Sequence, residues 1–371
     1  MIGTYWAPGR ANLIGEHTDY SGGLALPVAI DLGVTIEGEP DLNCILLTSD
    51  AFPDVVDLRS DGEGRAMGWG RHVAAVAIEL AELGRPPIGL RGSVRSNLPI
   101  GAGVSSSAAL QVAVATALCG VAAFELDPLE LALAAQHAEH RAVGVPCGVL
   151  DQMASVLGKA GHAVLIDTQS LTHRLIPFPV QLDLVILYSG FSRSLEDGRY
   201  SDRRRELERA LACLGGRRPA ELSMLEFETI AASLDPIAKR RLRHVVTENE
   251  RVRKVASILL GDGRETEGRL GELFRQGHDS LRDDFEVSTP QLDLLVDLSY
   301  RYGATAARMT GAGFGGSIIA LVRHERADLF TTSVLNAYRV QFDAKAVAHL
   351  ARASDGARTI TSPSRPTTPR K

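Results

Sequence analysis

Between residues 88 and 121 a strand pattern gives way to Gly101-Ala102-Gly103-Val104, then to Ser105-Ser106-Ser107-Ala108, then to a long apolar helix. Few arrangements accommodate that order. The glycines let backbone N–H groups turn toward one point, and the serines open a helix whose first-turn N–H groups have no partner within it. Ser105 is the expected N-cap. Free N–H groups and the helix dipole together favour an anion at this spot, and phosphate is the anion such loops cradle. The pattern GxxxxGK[ST] is absent, so this is not a Walker loop. A merely well-capped helix has no use for three serines in succession, which favours the anion site.

Around this loop, short apolar runs alternate with longer helical patterns, so the fold mixes α and β. The spacing predicts strands over 44–48, 88–95, 162–167, 182–189 and 316–322. It predicts helices over 71–83, 128–142, 197–213 and 237–260, the second opened by Asp127-Pro128. A chain of 371 residues, 45% hydrophobic, has ample length for a core in each of two lobes. The expected boundary lies at Pro177–Pro179, giving an N-terminal lobe over 1–177 and a C-terminal lobe over 178–352. A C-terminal segment, 353–371, follows. From about Thr361 it is Pro, Ser, Thr and basic residues with nothing to bury, and it is expected to be disordered. A net charge of −5 provides no field for nucleic acid or an anionic membrane. The clusters Arg203-Arg204-Arg205 and Arg240-Arg241-Arg243 lack interleaved aromatics and read as solvated helix faces. The four cysteines form no CxxC pair, as suits reduced thiols. Neither a signal peptide nor a membrane-length apolar run is evident, so a cytoplasmic protein with no nucleic-acid or membrane partner is expected.

Three further segments are chemically dense. Gly311-Ala312-Gly313-Phe314-Gly315-Gly316 follows Met309-Thr310 and precedes a strand, the reverse of a dinucleotide fingerprint. Pro8 to Tyr20 packs Arg10, Asn12, Glu16, His17, Thr18, Asp19 and Tyr20 into one turn-rich stretch beside apolar strands. Polar groups at that density favour a ligand with many hydroxyls. A metal held by Glu16, His17 and Asp19 is the weaker reading, since ligands from one turn rarely complete a coordination shell. Last, Glu139-His140 at a helix end is followed by Cys147-Gly148-Val149-Leu150-Asp151-Gln152. Asp151 in that apolar setting is either a cap or a functional base, and its neighbours alone leave both open.

Together these segments resemble the GHMP kinases, and within them the galactokinases. GRANLIGEHTDYSGG is similar to the galactokinase signature, PIGAGVSSSAAL and MTGAGFGGS to the second and third motifs, and CGVLDQ to the segment bearing the catalytic aspartate. RHVVTENERV and SLRDDFEVSTPQLD add to the likeness, which runs from Ala7 to about Val322. Ser317 departs from the cysteine common at that position. The resemblance implies an α+β fold of two lobes with the active site in the cleft between them. It implies transfer of the ATP γ-phosphoryl to the anomeric hydroxyl of D-galactose, with Mg²⁺, yielding galactose 1-phosphate and ADP. Asp151 is then the catalytic carboxylate with Arg10 beside it, and Glu16, His17, Asp19, Gly148 and Tyr200 contact the sugar. Gly101, Ala102, Gly103, Val104, Ser105, Ser106, Ser107 and Ala108 wrap the nucleotide phosphates, Trp69 sits near the adenine, and Ser107 and Glu139 hold Mg²⁺. No lysine falls in a motif, so Arg10 is the expected side-chain cation. Whether Asp151 takes the hydroxyl proton or only orients it stays open. Two alternatives carry less weight. A kinase for another monosaccharide would be expected to alter Glu16 to Asp19, and a non-catalytic sensor to lose part of Ser105 to Ala109 or Asp151.

Overall fold

The computed structural model describes residues 2–99, 101–144, 147–192, 198–261, 266–342 and 345–360. The first part of the chain runs β1 (Gly3–Asn12), β2 (Leu24–Ala25), β3 (Pro27–Asp41), β4 (Cys44–Ser49), β5 (Val56–Arg59), α1 (Gly70–Glu82), β6 (Gly89–Ser96), α2 (Ser106–Val121), α3 (Pro128–Val143), α4 (Leu150–Leu157), β7 (His162–Asp167) and β8 (Thr172–Pro177). The second part runs β9 (Leu182–Tyr188), α5 (Arg199–Leu211), α6 (Met224–Ala231), α7 (Pro236–Leu260), α8 (Thr266–Asp283), α9 (Pro290–Arg301), β10 (Ala306–Thr310), β11 (Ser317–Arg323), α10 (Ala327–Gln341), β12 (Val347–Ala351) and β13 (Arg358–Ile360). Asp127 starts α3 as its sequence requires: its side chain accepts from Leu129 N, and Glu130 reaches back to the Asp127 N–H.

Three sheets organise these elements, with strand orders β13-β1-β3-β6-β4-β5, β10-β11-β9-β12 and β2-β7-β8. The sheet changes at the proline-rich stretch, since β8 belongs to the third sheet and β9 to the second. The side chains of β9 divide between two cores. Leu184 and Ile186 pack with the first sheet and its helices, while Val185 and Leu187 pack with the layer that includes Leu281, Leu295 and Phe330. Burial on both faces explains why 184–188 reads as an unbroken apolar run.

β3 has no expected counterpart. Pro27, Gly33, Gly38 and Pro40 read locally as breakers. Pairing with β1 on one side and β6 on the other holds the strand together regardless. Residues 353–360 also return to the first sheet, where β13 pairs with β1, Thr4 opposite Ile360. The residues from 361, expected to be disordered, lie outside those described.

One arginine cluster differs from expectation. Arg241 is 1% exposed and pairs with Glu206 of α5 at 2.8 Å and with Glu286. It ties α5 and α7 together rather than facing solvent, and a buried guanidinium needs that pairing. Among the described residues, no helix is long and apolar enough to cross a membrane.

Candidate functional site

β1 delivers Arg10, and the pairing of β1 with β3 shifts register between Pro8 and Arg10. Such irregularities re-aim side chains. Arg10 turns its guanidinium onto Asp151 at the start of α4. Its Nε and Nη2 both lie 2.7 Å from Oδ1, and its Nη1 donates to the Gly103 carbonyl at 2.8 Å. Ser105 completes the unit, its hydroxyl donating to Asp151 Oδ2 at 2.6 Å. Here the structure corrects the sequence reading. Ser105 makes no capping bond and sits at φ 59°, ψ 48°, a left-handed conformation unfavourable for a side chain. The hydroxyl expected to cap α2 holds Asp151 instead. Strain of this kind persists where surrounding contacts over-determine it, as at a working site.

Two stitches join this unit to the third glycine loop. The Ser317 hydroxyl donates to the Ala102 carbonyl at 2.7 Å. Thr310 Oγ1 donates to the Asn12 carbonyl at 3.0 Å and accepts from the Asn12 N–H at 3.1 Å.

The polar turn after β1 folds on itself, the Thr18 hydroxyl donating to the Gly15 and Leu24 carbonyls at 2.8 Å each. His17, at φ 62°, lays its ring 4.6 Å from that of Phe285 and places Nδ1 2.9 Å from the Tyr20 hydroxyl. Tyr200 closes the same corner, 6.0 Å from the His17 ring and 5.9 Å from the Tyr20 ring. Asp19 lies directly over Gly148, where a methyl group would overlap its carboxylate. Glycine is therefore required at 148 for its lack of bulk.

These groups converge on one cavity of about 450 Å³. It is lined by Arg10, Glu16, His17, Asp19, Gly101, Gly103, Ser105, Ser106, Ser107, Ala108, Glu139, Gly148, Asp151 and Tyr200, with Gly311, Ala312 and Phe314 from the third loop. Three expected members do not line it. Ala102 and Val104 are buried behind the loop, where the Val104 carbonyl accepts from the Arg10 N–H at 3.2 Å. Trp69 is buried at the head of α1, its Nε1–H donating to the Asp54 carbonyl at 3.1 Å and its ring stacked on Phe52. Several lining residues were not expected as site residues, among them Asn12, Tyr20, Cys147, Gln152 and Arg199. Asn12, Tyr20, Cys147 and Gln152 lie in the chemically dense segments, whereas no motif marked Arg199.

The two ends of the cavity differ in charge. At one end lie Glu16 and Asp19 of the polar turn. Burial, reinforced by the nearby Asp151 charge, pushes the Asp19 carboxyl up to about 6. Burial pushes Glu16 up to about 7 against the pull of Arg308. Burial likewise raises the Tyr200 hydroxyl and the Cys147 thiol. Carboxylates and hydroxyls at this end match a neutral, hydroxyl-rich ligand. At the other end lie the Gly101–Ser107 loop and the α2 N-terminus, which match an anion. Among the described residues, no group of three His, Cys, Asp or Glu is arranged to hold a metal. In that turn Glu16 pairs with Arg308 and His17 Nδ1 with Tyr20. Ser107 and Glu139, both on the cavity wall, offer one hydroxyl and one carboxylate. That partial, all-oxygen set fits Mg²⁺, which takes its remaining ligands from water and phosphate.

Known proteins match throughout. The model of the GHMP kinases N terminal domain matches residues 71–159, that of the GHMP kinases C terminal domain residues 263–340, and that of the galactokinase galactose-binding signature residues 3–40. The chain is 37% identical over 351 residues to a galactokinase of Thermococcus kodakarensis, covering 95% of this chain and 98% of that one. It is 36% identical over 353 residues to a galactokinase of Pyrococcus furiosus, with the same coverage. The crystal structure of Lactococcus lactis galactokinase complexed with galactose superposes with a TM-score of 0.92 at 31% identity, covering 97% of this chain and 95% of that one.

Proposed function

The chain belongs to the galactokinases of the GHMP kinase family, and from that premise we propose that it transfers the γ-phosphoryl of ATP to the anomeric hydroxyl of D-galactose. The products are galactose 1-phosphate and ADP. One observation carries this reading: the Arg10–Asp151–Ser105 unit stands between a carboxylate-lined end and a Gly/Ser loop at a helix N-terminus. A sugar hydroxyl and a terminal phosphoryl meet across that unit.

In this reading the loop from Gly101 to Ala108 presents backbone N–H groups to the nucleotide phosphates, and Ser107 with Glu139 holds Mg²⁺. When bound, that ion supplies charge neutralisation on the phosphate oxygens. Arg10, fixed by Asp151 and Gly103, keeps a permanent cation beside the transferred group at no reorganisation cost. Asp151 accepts the hydrogen of the acceptor hydroxyl and orients its oxygen along the line of attack. Phosphoryl transfer depends mainly on such positioning. Glu16, His17, Asp19 and Tyr200 read the remaining hydroxyls over the flat floor of Gly148. Residues 1–177 form the lobe with the sugar turn and phosphate loop, 178–352 the lobe with the third glycine loop, and the cytoplasm, where ATP is available, is the location.

Galactose and glucose differ in the direction of one hydroxyl. A site built to hydrogen-bond that hydroxyl leaves buried polar atoms unpaired with the wrong epimer, and such sites discriminate by up to ~10⁴–10⁵-fold. The test is kcat/KM with ATP for galactose, glucose, talose and arabinose, in the parent and in Asp19→Ala. Galactose should lead glucose by ~10³-fold or more. The variant should lose more on galactose than on any other sugar. Equal efficiency on galactose and glucose would sink the substrate assignment.

A further inference from the structure

Helix α7 comes from the sequence around RHVVTENERV, which the catalytic reading leaves without a role. One face of it is polar and buried. Its groups bond to the turn that carries Glu16 and Asp19, more than two hundred residues earlier in the chain. Glu248 Oε1 accepts from the Gly15 N–H at 2.9 Å, Asn249 Oδ1 accepts from the Leu24 N–H at 2.6 Å, and His244 Nε2 lies 3.1 Å from the Glu16 carbonyl. A single nitrogen then bridges the two carboxylates. Arg308 Nη2 on β10 donates to Glu16 Oε2 and to Glu248 Oε1 at 2.7 Å each. Arg251 secures the far oxygen of Glu248 at 2.7 Å.

Glu16 is 3% exposed yet lines the cavity, and its other oxygen, Oε1, is buried with no partner among the described residues. A buried carboxylate oxygen left unpaired is costly. Arg308 occupies its twin, so Oε1 is the carboxylate oxygen that still lacks a hydrogen-bond donor. The cluster also depends on a small residue: a methyl at Gly277 of α8 would come within 3.0 Å of the Arg308 Cζ.

We propose that Arg308 and Glu248 are positioning residues for the sugar, a cross-lobe relay that anchors one Glu16 oxygen so that the other faces the acceptor's hydroxyls. The inference deepens the sugar-kinase reading and rests on it. Neither residue touches the ligand, and both act through Glu16. Because the relay grips the turn on one lobe from α7 and β10 on the other, sugar affinity is coupled to how the lobes meet. Charge follows the same path. Arg308 on β10, Glu248 on α7 and Arg10 on β1 are the charged groups acting on Glu16, while Arg251 and His244 of α7 act on Glu248. His244, held by burial down to about 4, stays neutral near pH 7. Burial pushes Glu248 up, but Arg308 and Arg251 outweigh it and keep Glu248 ionised. Its fixed negative charge then resists ionisation of Glu16.

Two variants test the relay, each first checked for folding by circular dichroism and thermal melting. Glu248→Gln keeps the shape and removes the charge. Gly277→Ala removes no polar group, has the better helix former, and displaces the Arg308 head. KM for sugar and KM for ATP are measured separately, with the pH profile of kcat/KM for the sugar. Both variants should raise the sugar KM ~10-fold or more, as expected for a catalytic group misplaced by part of an ångström. The ATP KM should stay within about twofold, since neither Arg308 nor Glu248 lines the cavity with the phosphate loop. Glu248→Gln should also move the acid limb of the profile to lower pH. An unchanged sugar KM in a folded variant overturns the relay, and so does a parallel rise in both KM values, which marks a merely structural role. If Glu248→Gln does not fold, the KM split in Gly277→Ala decides. The parent separates the two readings: should it prefer a sugar other than galactose, only the substrate falls, and the same comparison on that sugar still tests the relay.

Discussion

Gly148→Ala isolates the sugar end of the cavity with one methyl group. A Cβ at 148 would overlap the Asp19 carboxylate and lie 2.8 Å from the Asp19 Cβ. Carbon atoms in contact sit about 3.5–4.0 Å apart and the Asp19 Cγ would lie at 2.3 Å, so the Asp19 side chain must retreat by about 1.5 Å. The backbone at 148 does not resist, because its φ lies outside the left-handed region. Asp19 cannot retreat freely, since Tyr20 and Tyr200 crowd the same corner. Displacements of about 1 Å in a positioning group cost on the order of 10²-fold in rate. The folded variant should therefore lose ~10²-fold in kcat/KM for galactose, with the ATP KM within about twofold and a thermal midpoint near the parent's. A coupled ADP-release assay, varying galactose at saturating ATP and then the reverse, supplies both constants. A galactose KM and kcat within twofold of the parent's would refute the placement of Asp19 as the sugar reader.

Other outcomes follow from the same geometry. Asp151→Asn keeps the shape but loses the charge gripped by Arg10, and turnover should fall ~10²–10⁴-fold. A near-normal kcat in the purified variant contradicts the role of Asp151. Glu139→Ala should raise the Mg²⁺ concentration for half-maximal rate while leaving galactose affinity alone. Superimposable Mg²⁺ titrations would return Glu139 to an ordinary helix carboxylate. With Asp19 raised to about 6 and Glu16 to about 7, kcat/KM for galactose should climb between pH 5 and 8, and a plateau reached by pH 5 contradicts this. The stability sign is opposite. A carboxyl whose folded pKa lies above its unfolded value contributes most at low pH and loses that contribution as pH rises through the folded value. The melting-point difference between Glu16→Gln and the parent should thus become more favourable to the variant from pH 5 to 8.

Local chemistry determined a good part of this molecule from the sequence alone. Asp127-Pro128 opens a helix because cap and proline act within one turn, and Gly101 to Ser107 ends a strand and starts a helix wherever the chain goes next. The apolar run at 184–188 declared a buried strand. Tertiary contacts decided the rest, because the deciding partners lie far along the chain. β3 exists in spite of its prolines and glycines, since β1 and β6 satisfy its backbone groups on both sides. Ser105 abandons its cap because Asp151, 46 residues later, accepts its hydroxyl. Trp69 turns inward because Asp54 and Phe52 receive it. Arg241 is buried because Glu206 and Glu286 meet it from two other segments. The Glu16–Arg308 pair spans 292 positions, and no local period records it. Spacing along the chain encodes the capping and turning of its own backbone, whereas the pairing of a buried charge is set by whichever segment the fold brings against it.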